Sequence, residues 1–453
     1  MPNTTRLLLS LLLVGAAPAL AAQAPRLTLR EALARADSAA FPNRMARAGS
    51  AAAAARADGA NQAFLPGVRA EVGAVRTSDP LGAFGFLLRQ REVTPAAFDP
   101  AGLNRPTPRT DVGAAVVGEV PLVNLDAWAG RRAANRAADA EALRADWAAS
   151  GVRLDVVASY YGAVLAREKA RVIAAAEMAG QAHVRRAEAA LRNGVVTRSD
   201  LLLAQVRLGE IETQRLGALA DADLARRRLA VVLGLPGDTL GTLPAAIPAG
   251  PALDALAASG GTRADIEAIG ALADAASHEA SRRGYALLPR LNGFGRYEWH
   301  DATTPLAGRP MWTVGVMATW SPFSGGAELA ARREAQANAS AARAGLDAAR
   351  AQADMELLAA ERAVEVAAQS QRIAARSVAQ AAEAHRIVER KYDGGLATVA
   401  ELLDAQATDL SVRLAEAKSR YDLILALGTL VRVRGADLAP LAAALDASAV
   451  NPE

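Results

Sequence analysis

Apolar residues along this chain change their spacing several times, and each change marks an element. Leu27-Thr-Leu-Arg-Glu-Ala-Leu33 opens an amphipathic helix, with Thr28 and Glu31 spaced as a capping box. That helix is predicted to run to Phe64-Leu65-Pro66, with a kink at Pro42. There the period drops to two. Val68, Ala70, Val72 and Ala74 alternate with Arg69, Glu71, Gly73 and Val75, which predicts a strand over about 67–76. A stretch rich in Pro and Gly, about 79–109, is expected to be a variable surface loop. A second strand over about 111–120 ends at Pro121.

Helical spacing returns at about 124 and persists to 192. Leu143, Trp147, Ser150, Leu154, Val157, Tyr161 and Val164 follow the alternating three-four spacing of a coiled-coil seam. One continuous helix of that extent would span on the order of 100 Å, far more than a compact domain holds. After a turn at Asn193-Gly194 a second helix is expected to return to about 233. The order then repeats beyond a Pro- and Gly-rich divide at 234–261. A helix from about Arg263 leads to Leu287-Leu-Pro289. Strands are predicted at about 290–300 and 311–320, followed by a helical hairpin over about 326–433 with its turn at Asp393-Gly394-Gly395.

The repetition extends to motifs. Gly194-Val-Val-Thr-Arg-Ser-Asp200 is matched by Gly395-Leu-Ala-Thr-Val-Ala-Glu401, and Val120-Pro-Leu122 by Ser321-Pro-Phe323, at a constant offset. One unit built twice accounts for this. It predicts a first repeat over 23–250, holding the helical hairpin of about 124–233, and a second over 251–453.

Composition narrows the function classes. Aromatics make up 4% of the 453 residues, and alanine, the best helix former, dominates long stretches. The formal net charge of +3 comes from arginines scattered among acids, with no basic groove interleaved with aromatics, so no nucleic-acid partner is expected. Arg6, the run Leu7-Leu-Leu-Ser-Leu-Leu-Leu-Val14 and Ala19-Leu-Ala21 together predict a signal peptide over 1–22 and hence export. No later stretch is apolar for long enough to be a membrane helix. Cysteine is absent, which leaves stability to packing and assembly and excludes a cysteine-linked lipid anchor. His183, His278, His300 and His385 are dispersed, without metal-ligand spacing, and no nucleophile elbow is present. Gly293-Phe-Gly295 lies in a predicted strand and lacks the glycine and helix of a dinucleotide fingerprint. No catalytic residue, cofactor or metal is expected, and the chain is not expected to be an enzyme.

Four strands of nine or ten residues suit a tilted membrane strand, yet four cannot close a barrel, and open edges are not tolerated in lipid. Several chains must then contribute, and three would supply about 12 strands. Tyr297, Trp299, Trp312, Trp320 and Phe323 cluster where an aromatic girdle would lie. The whole order, with Leu27–Leu33, Phe64-Leu-Pro66, Val120-Pro-Leu122, Ser321-Pro-Phe-Ser-Gly-Gly326 and Tyr392-Asp-Gly-Gly-Leu-Ala-Thr398, resembles the TolC family of outer-membrane efflux proteins. The resemblance implies a mainly α-helical protein: a homotrimer with a 12-stranded outer-membrane barrel continuous with a long periplasmic α-helical tunnel. It also implies a passive exit duct for efflux or type I secretion. The partners would be a periplasmic adaptor, an inner-membrane RND or ABC transporter and outer-membrane lipid. A periplasmic coiled-coil adaptor, or an exported structural coiled coil without a pore, is the alternative.

On that resemblance the two turns form the periplasmic tip. Glu401 and Asp404, spaced to share a helix face, fall on the acidic pore constriction. Asp200 and Tyr392 fall on the gate between the turns. The basic residue of that gate falls on Ala397, for which Arg198 is a substitute. Gly194, Val195, Gly395 and Leu396 would meet the adaptor. Thr398-Val-Ala-Glu401 and Thr197-Arg-Ser-Asp200 also read as capping boxes, a competing role for Glu401 and Asp200.

Overall fold

The computed structural model describes residues 26–236, 240–248 and 260–450. The expected leader at 1–22 and the division near residue 250 lie outside them. Thr28 caps α1 (Leu29–Ala39), and both arms of its capping box with Glu31 are formed. The expected kink at Pro42 is a break: Ala40 is extended, and α2 (Phe41–Gly59) starts beyond it with Pro42 in its first turn, where a missing N–H costs nothing. A 3-10 turn, Ala60–Phe64, then delivers the chain to β1 (Gly67–Thr77).

The stretch at 79–109 departs from the loop expected of it. It folds as α3 (Pro80–Gln90), a short 3-10 turn and α4 (Pro100–Asn104) before β2 (Arg109–Val123) begins. Asp79 and Asp99 each cap the helix that follows, accepting from Gly82 N and Gly102 N, with proline next in sequence. That is the ordinary chemistry of a helix start.

Beyond β2 come α5 (Leu125–Arg192) and α6 (Arg198–Val232), then α7 (Ala264–Tyr285), β3 (Arg290–Asp301) and β4 (Met311–Thr319). The chain continues through α8 (Ala327–Asp393) and α9 (Val399–Val433) to α10 (Ala439–Val450). The two hairpins match closely: α5 and α8 have 68 and 67 residues, and α6 and α9 have 35 each. At 1.5 Å per residue the longer helices extend about 100 Å.

The four strands form one antiparallel sheet in the order β1-β2-β3-β4. Ladder partners point to the same side, so the register sorts the side chains into two faces. One face carries Val68, Val72, Val116, Tyr297, Trp299, Trp312, Val314 and Val316. Most of these are exposed, Trp312 at 70% and Val72 at 72%. The opposite face carries Arg69, Glu71, Glu119, Arg296, Glu298, Asp111 and His300. Its charges are knitted together: Arg69 bonds Glu71 at 2.9 Å and Glu119 at 3.0 Å, while Arg296 bonds Glu71 at 3.0 Å and Glu298 at 2.6 Å.

The largest core lies partway along the long helices. There α1, α5, α9, α10 and the segment around Ile247 bury Leu29, Val156, Tyr160, Ile424, Leu427 and Leu445 together. The Tyr160 hydroxyl donates to Leu27 O at 2.7 Å. Asp446 of α10 accepts from Leu29 N at 2.9 Å and Arg30 N at 3.1 Å, a carboxylate placed on the free N–H groups that begin α1. No helix among the described residues is long and apolar enough to cross a membrane.

Candidate functional site

The two turns that end the long helices share one local design. Gly194 and Gly395 take positive φ values of 69° and 71°, the left-handed conformation that terminates a helix at low cost only for glycine. Val195 N then donates to Ala190 O at 2.9 Å and Leu396 N to Lys391 O at 2.8 Å, closing matching Schellman turns. Val195 and Leu396 project from the ends, 72% and 81% exposed.

Each return helix starts on a complete capping box. Asp200 accepts from Thr197 N at 2.9 Å and from its hydroxyl at 2.7 Å. Glu401 accepts from Thr398 N at 2.7 Å and from its hydroxyl at 3.0 Å. The Thr197 hydroxyl, then its amide, hold the Asp200 carboxyl below its ordinary range. The Thr398 amide, then its hydroxyl, do the same for Glu401. Both carboxylates are thus engaged in starting their helices. Asp404, one turn further along α9, is exposed and outside the cap. Arg207 of α6 feels its charge but bonds Glu210, at 2.8 Å.

The hairpins meet at the tip through a small apolar patch. Ala204 of α6 packs with Val399 and Leu403 of α9, and Val184, Val196 and Tyr392 close around them. Tyr392 contributes its ring to this patch. Its phenol is pushed up first by burial and then by the Asp200 and Asp393 carboxylates, so it stays neutral. Arg198 is exposed and makes no ion pair among the described residues.

The charged link between hairpins comes instead from Arg186. It bonds Glu389 at 2.8 Å and lies 3.9 Å from Asp393. One side of the pair sits on α5 and the other on α8, about 200 residues apart, so neither helix pattern points to it.

Beside this pair, His183 of α5 and His385 of α8 stack edge to face at 6.3 Å. His183 is 6% exposed, and neither ring nitrogen has a hydrogen-bond partner. Burial lowers its pKa first, Arg186 and His385 lower it further, and Glu389 and Asp393 oppose them. The packed ring is therefore neutral where a solvated one begins to charge, near pH 6.5. Below that pH the separated hairpins take up a proton first, so acid weakens the packed tip. Protection of the amides across 183–196, with the intrinsic pH dependence of exchange divided out, is expected to fall between pH 7 and pH 5, and His183→Gln to flatten that dependence. An unchanged profile in the parent protein would contradict it.

Among the described residues, no group of three or more His, Asp or Glu side chains could hold a metal ion. Residues 260–436 match the family model described as "Outer membrane efflux protein". No curated protein sequence matches the chain. The fold is similar to that of solved outer-membrane channels. The CmeC channel of Campylobacter jejuni is 17% identical, with a TM-score of 0.75 and 90% of this chain and 85% of that one covered. VceC of Vibrio cholerae is 18% identical, with a TM-score of 0.74 and coverage of 90% and 96%. The MtrE channel of Neisseria gonorrhoeae is 17% identical, with a TM-score of 0.71 and coverage of 90% and 89%.

Proposed function

From a chain that has the fold of the TolC-type outer-membrane channels and carries the outer membrane efflux protein domain at 260–436, we infer a passive exit duct. Its three copies would close one barrel in the outer membrane and one helical tunnel in the periplasm. The observation that carries this is the sheet. It has an exposed apolar face with Tyr297, Trp299 and Trp312, an opposite face crossed by ion pairs, and two unpaired edges, β1 and β4. Apolar side chains suit lipid, the charged face suits a water-filled interior, and free edges must be paired inside a bilayer. Joining β4 of one copy to β1 of the next satisfies all three conditions and gives 12 strands for three copies.

The long helices then form the tunnel, and the two turns of each subunit form its far end. Asp404, free of capping duty, is assigned to the constriction, with Glu401 beside it. Asp200, Tyr392 and Arg198 lie around the gate. Gly194, Val195, Gly395 and Leu396 are assigned to docking of a periplasmic adaptor, and an inner-membrane transporter would supply the energy. The duct performs no bond chemistry: cargo passes by diffusion when the tip opens.

Cell fractionation tests the reading. The protein is expected in outer membranes as a heat-modifiable trimer. A soluble periplasmic monomer would reject the duct and favour a pore-less coiled coil.

A further inference from the structure

On the exit-duct reading, we propose that residues 80–104 form a second constriction, at the outer mouth of the barrel, that sets the largest cargo able to leave. The connection between β3 and β4 occupies only 302–310, whereas that between β1 and β2 occupies 78–108. The longer connection does not project away from the sheet. It packs against β2 and β3 through α3, and a defined latch holds it there. Gln90 Nε2, at the end of α3, donates to Thr110 O and to Asp111 Oδ1, both at 2.9 Å. The other Asp111 oxygen meets His300 Nδ1 at 2.7 Å. Arg109 bonds Glu92, just beyond the helix, at 3.0 Å.

The face on which α3 lies follows from the register. Asp111 pairs with Val75, and His300 with Gly113, in the rows that continue to Glu71, Arg296 and Glu298. This is the ion-paired face, the inside of the barrel. Asp111 and His300 are nevertheless only 5% and 7% exposed, because α3 covers them. The helix thus lies inside the rim, at the end of the sheet farthest from the long helices.

Three details show a built element. Phe84 of α3 stacks edge to face on Phe98 at 5.8 Å, and Ala83 is 1% exposed, so the segment has its own small core. Arg91, which ends α3, is the one described non-glycine residue with positive φ, 58°. It holds a conformation that glycine adopts far more readily, and the Glu92 N to Leu87 O bond of 2.9 Å fixes it. Finally, Leu81 and Leu88, on one helix face, are 82% and 54% exposed. They point away from the wall, into the space that three such helices would narrow. An apolar, narrowed mouth selects by size more than by charge.

The chain has no cysteine, so a single introduced thiol reports access. Glu119 lies on the inner face at the opposite end of the sheet, with its side chain 52% exposed. In intact cells carrying Glu119→Cys, a small maleimide added outside is expected to label the thiol. A polymer-tethered maleimide is expected to be excluded. Replacing 80–104 with a short Gly-Ser linker should admit the large reagent. Gln90→Ala, which keeps the loop and removes the latch, should admit it more slowly than that replacement but faster than the parent. Unchanged exclusion in both variants, with trimer still present in the outer membrane, would overturn the constriction. Failure of even the small reagent to label any of them would instead remove the inner-face assignment, and the duct with it.

Discussion

Replacing Asp404 with alanine is expected to lower the cation preference of the reconstituted channel by about tenfold. The magnitude follows from Coulomb's law. Three carboxylates, each about 8 Å from a cation on the axis, contribute about 0.5 kcal/mol apiece at the dielectric of water, and together about a factor of ten. A narrower or drier passage would raise the effect, and added salt would lower it. Glu401 sits three residues earlier, yet its carboxylate is bound to Thr398 N at 2.7 Å. Glu401→Ala is therefore expected to loosen the start of α9 more than to change selectivity. Ion selectivity and divalent-cation block, recorded for both variants in planar bilayers, separate the two roles. Unchanged selectivity and block in Asp404→Ala would remove that residue from the constriction.

The second large effect is expected far from the tip. Arg420 of α9 joins Glu168 of α5 at 2.7 Å and Glu416 at 2.8 Å, and also bonds Ile247 O. Ile247 N in turn donates to Glu168 at 3.2 Å. The side chains of Arg420 and Glu168 are 13% and 6% exposed, so the node that ties two long helices to the 240–248 segment is nearly dry. Arg420→Ala leaves the buried Glu168 carboxylate with only the exposed Arg171, 4.0 Å away, as counter-charge, a change that costs about 3 kcal/mol. Thermal unfolding of the detergent-solubilised protein at neutral pH should show a clear fall in midpoint. The paired change Arg420→Met with Glu168→Leu should recover most of it, since an apolar pair of similar volume avoids the stranded charge. A single variant as stable as the parent would contradict the assignment.

Local chemistry was legible in the chain wherever it determines structure by itself. The capping boxes at Thr28, Thr197 and Thr398 could be read directly. So could the paired glycine turns and the alternation of β1, because caps, left-handed turns and twofold periods are properties of a few consecutive residues. The stretch at 79–109 carried equally local signals, Asp79-Pro80 and Asp99-Pro100. They were obscured by a Pro- and Gly-rich composition that usually marks a loop.

What stayed hidden depends on residues far apart in sequence. Asp446 caps α1 from the far end of the chain, Arg186 meets Glu389 across the two hairpins, and His183 meets His385. Periodicity cannot report such pairs, since it says which face of a helix is apolar and nothing of what the face meets. The same limit applies to Asp404. Its exposure belongs to a single chain, whereas a place on a pore axis would depend on where further copies of the chain sit.

The central claim is that copies of this chain close a water-filled passage. The most direct test is single-channel recording of the purified parent protein in planar bilayers. Discrete, long-lived and cation-preferring conductance steps from the heat-modifiable trimer are the predicted result. A pure trimer that inserts and gives no conductance, including under conditions that open the tip, would contradict it.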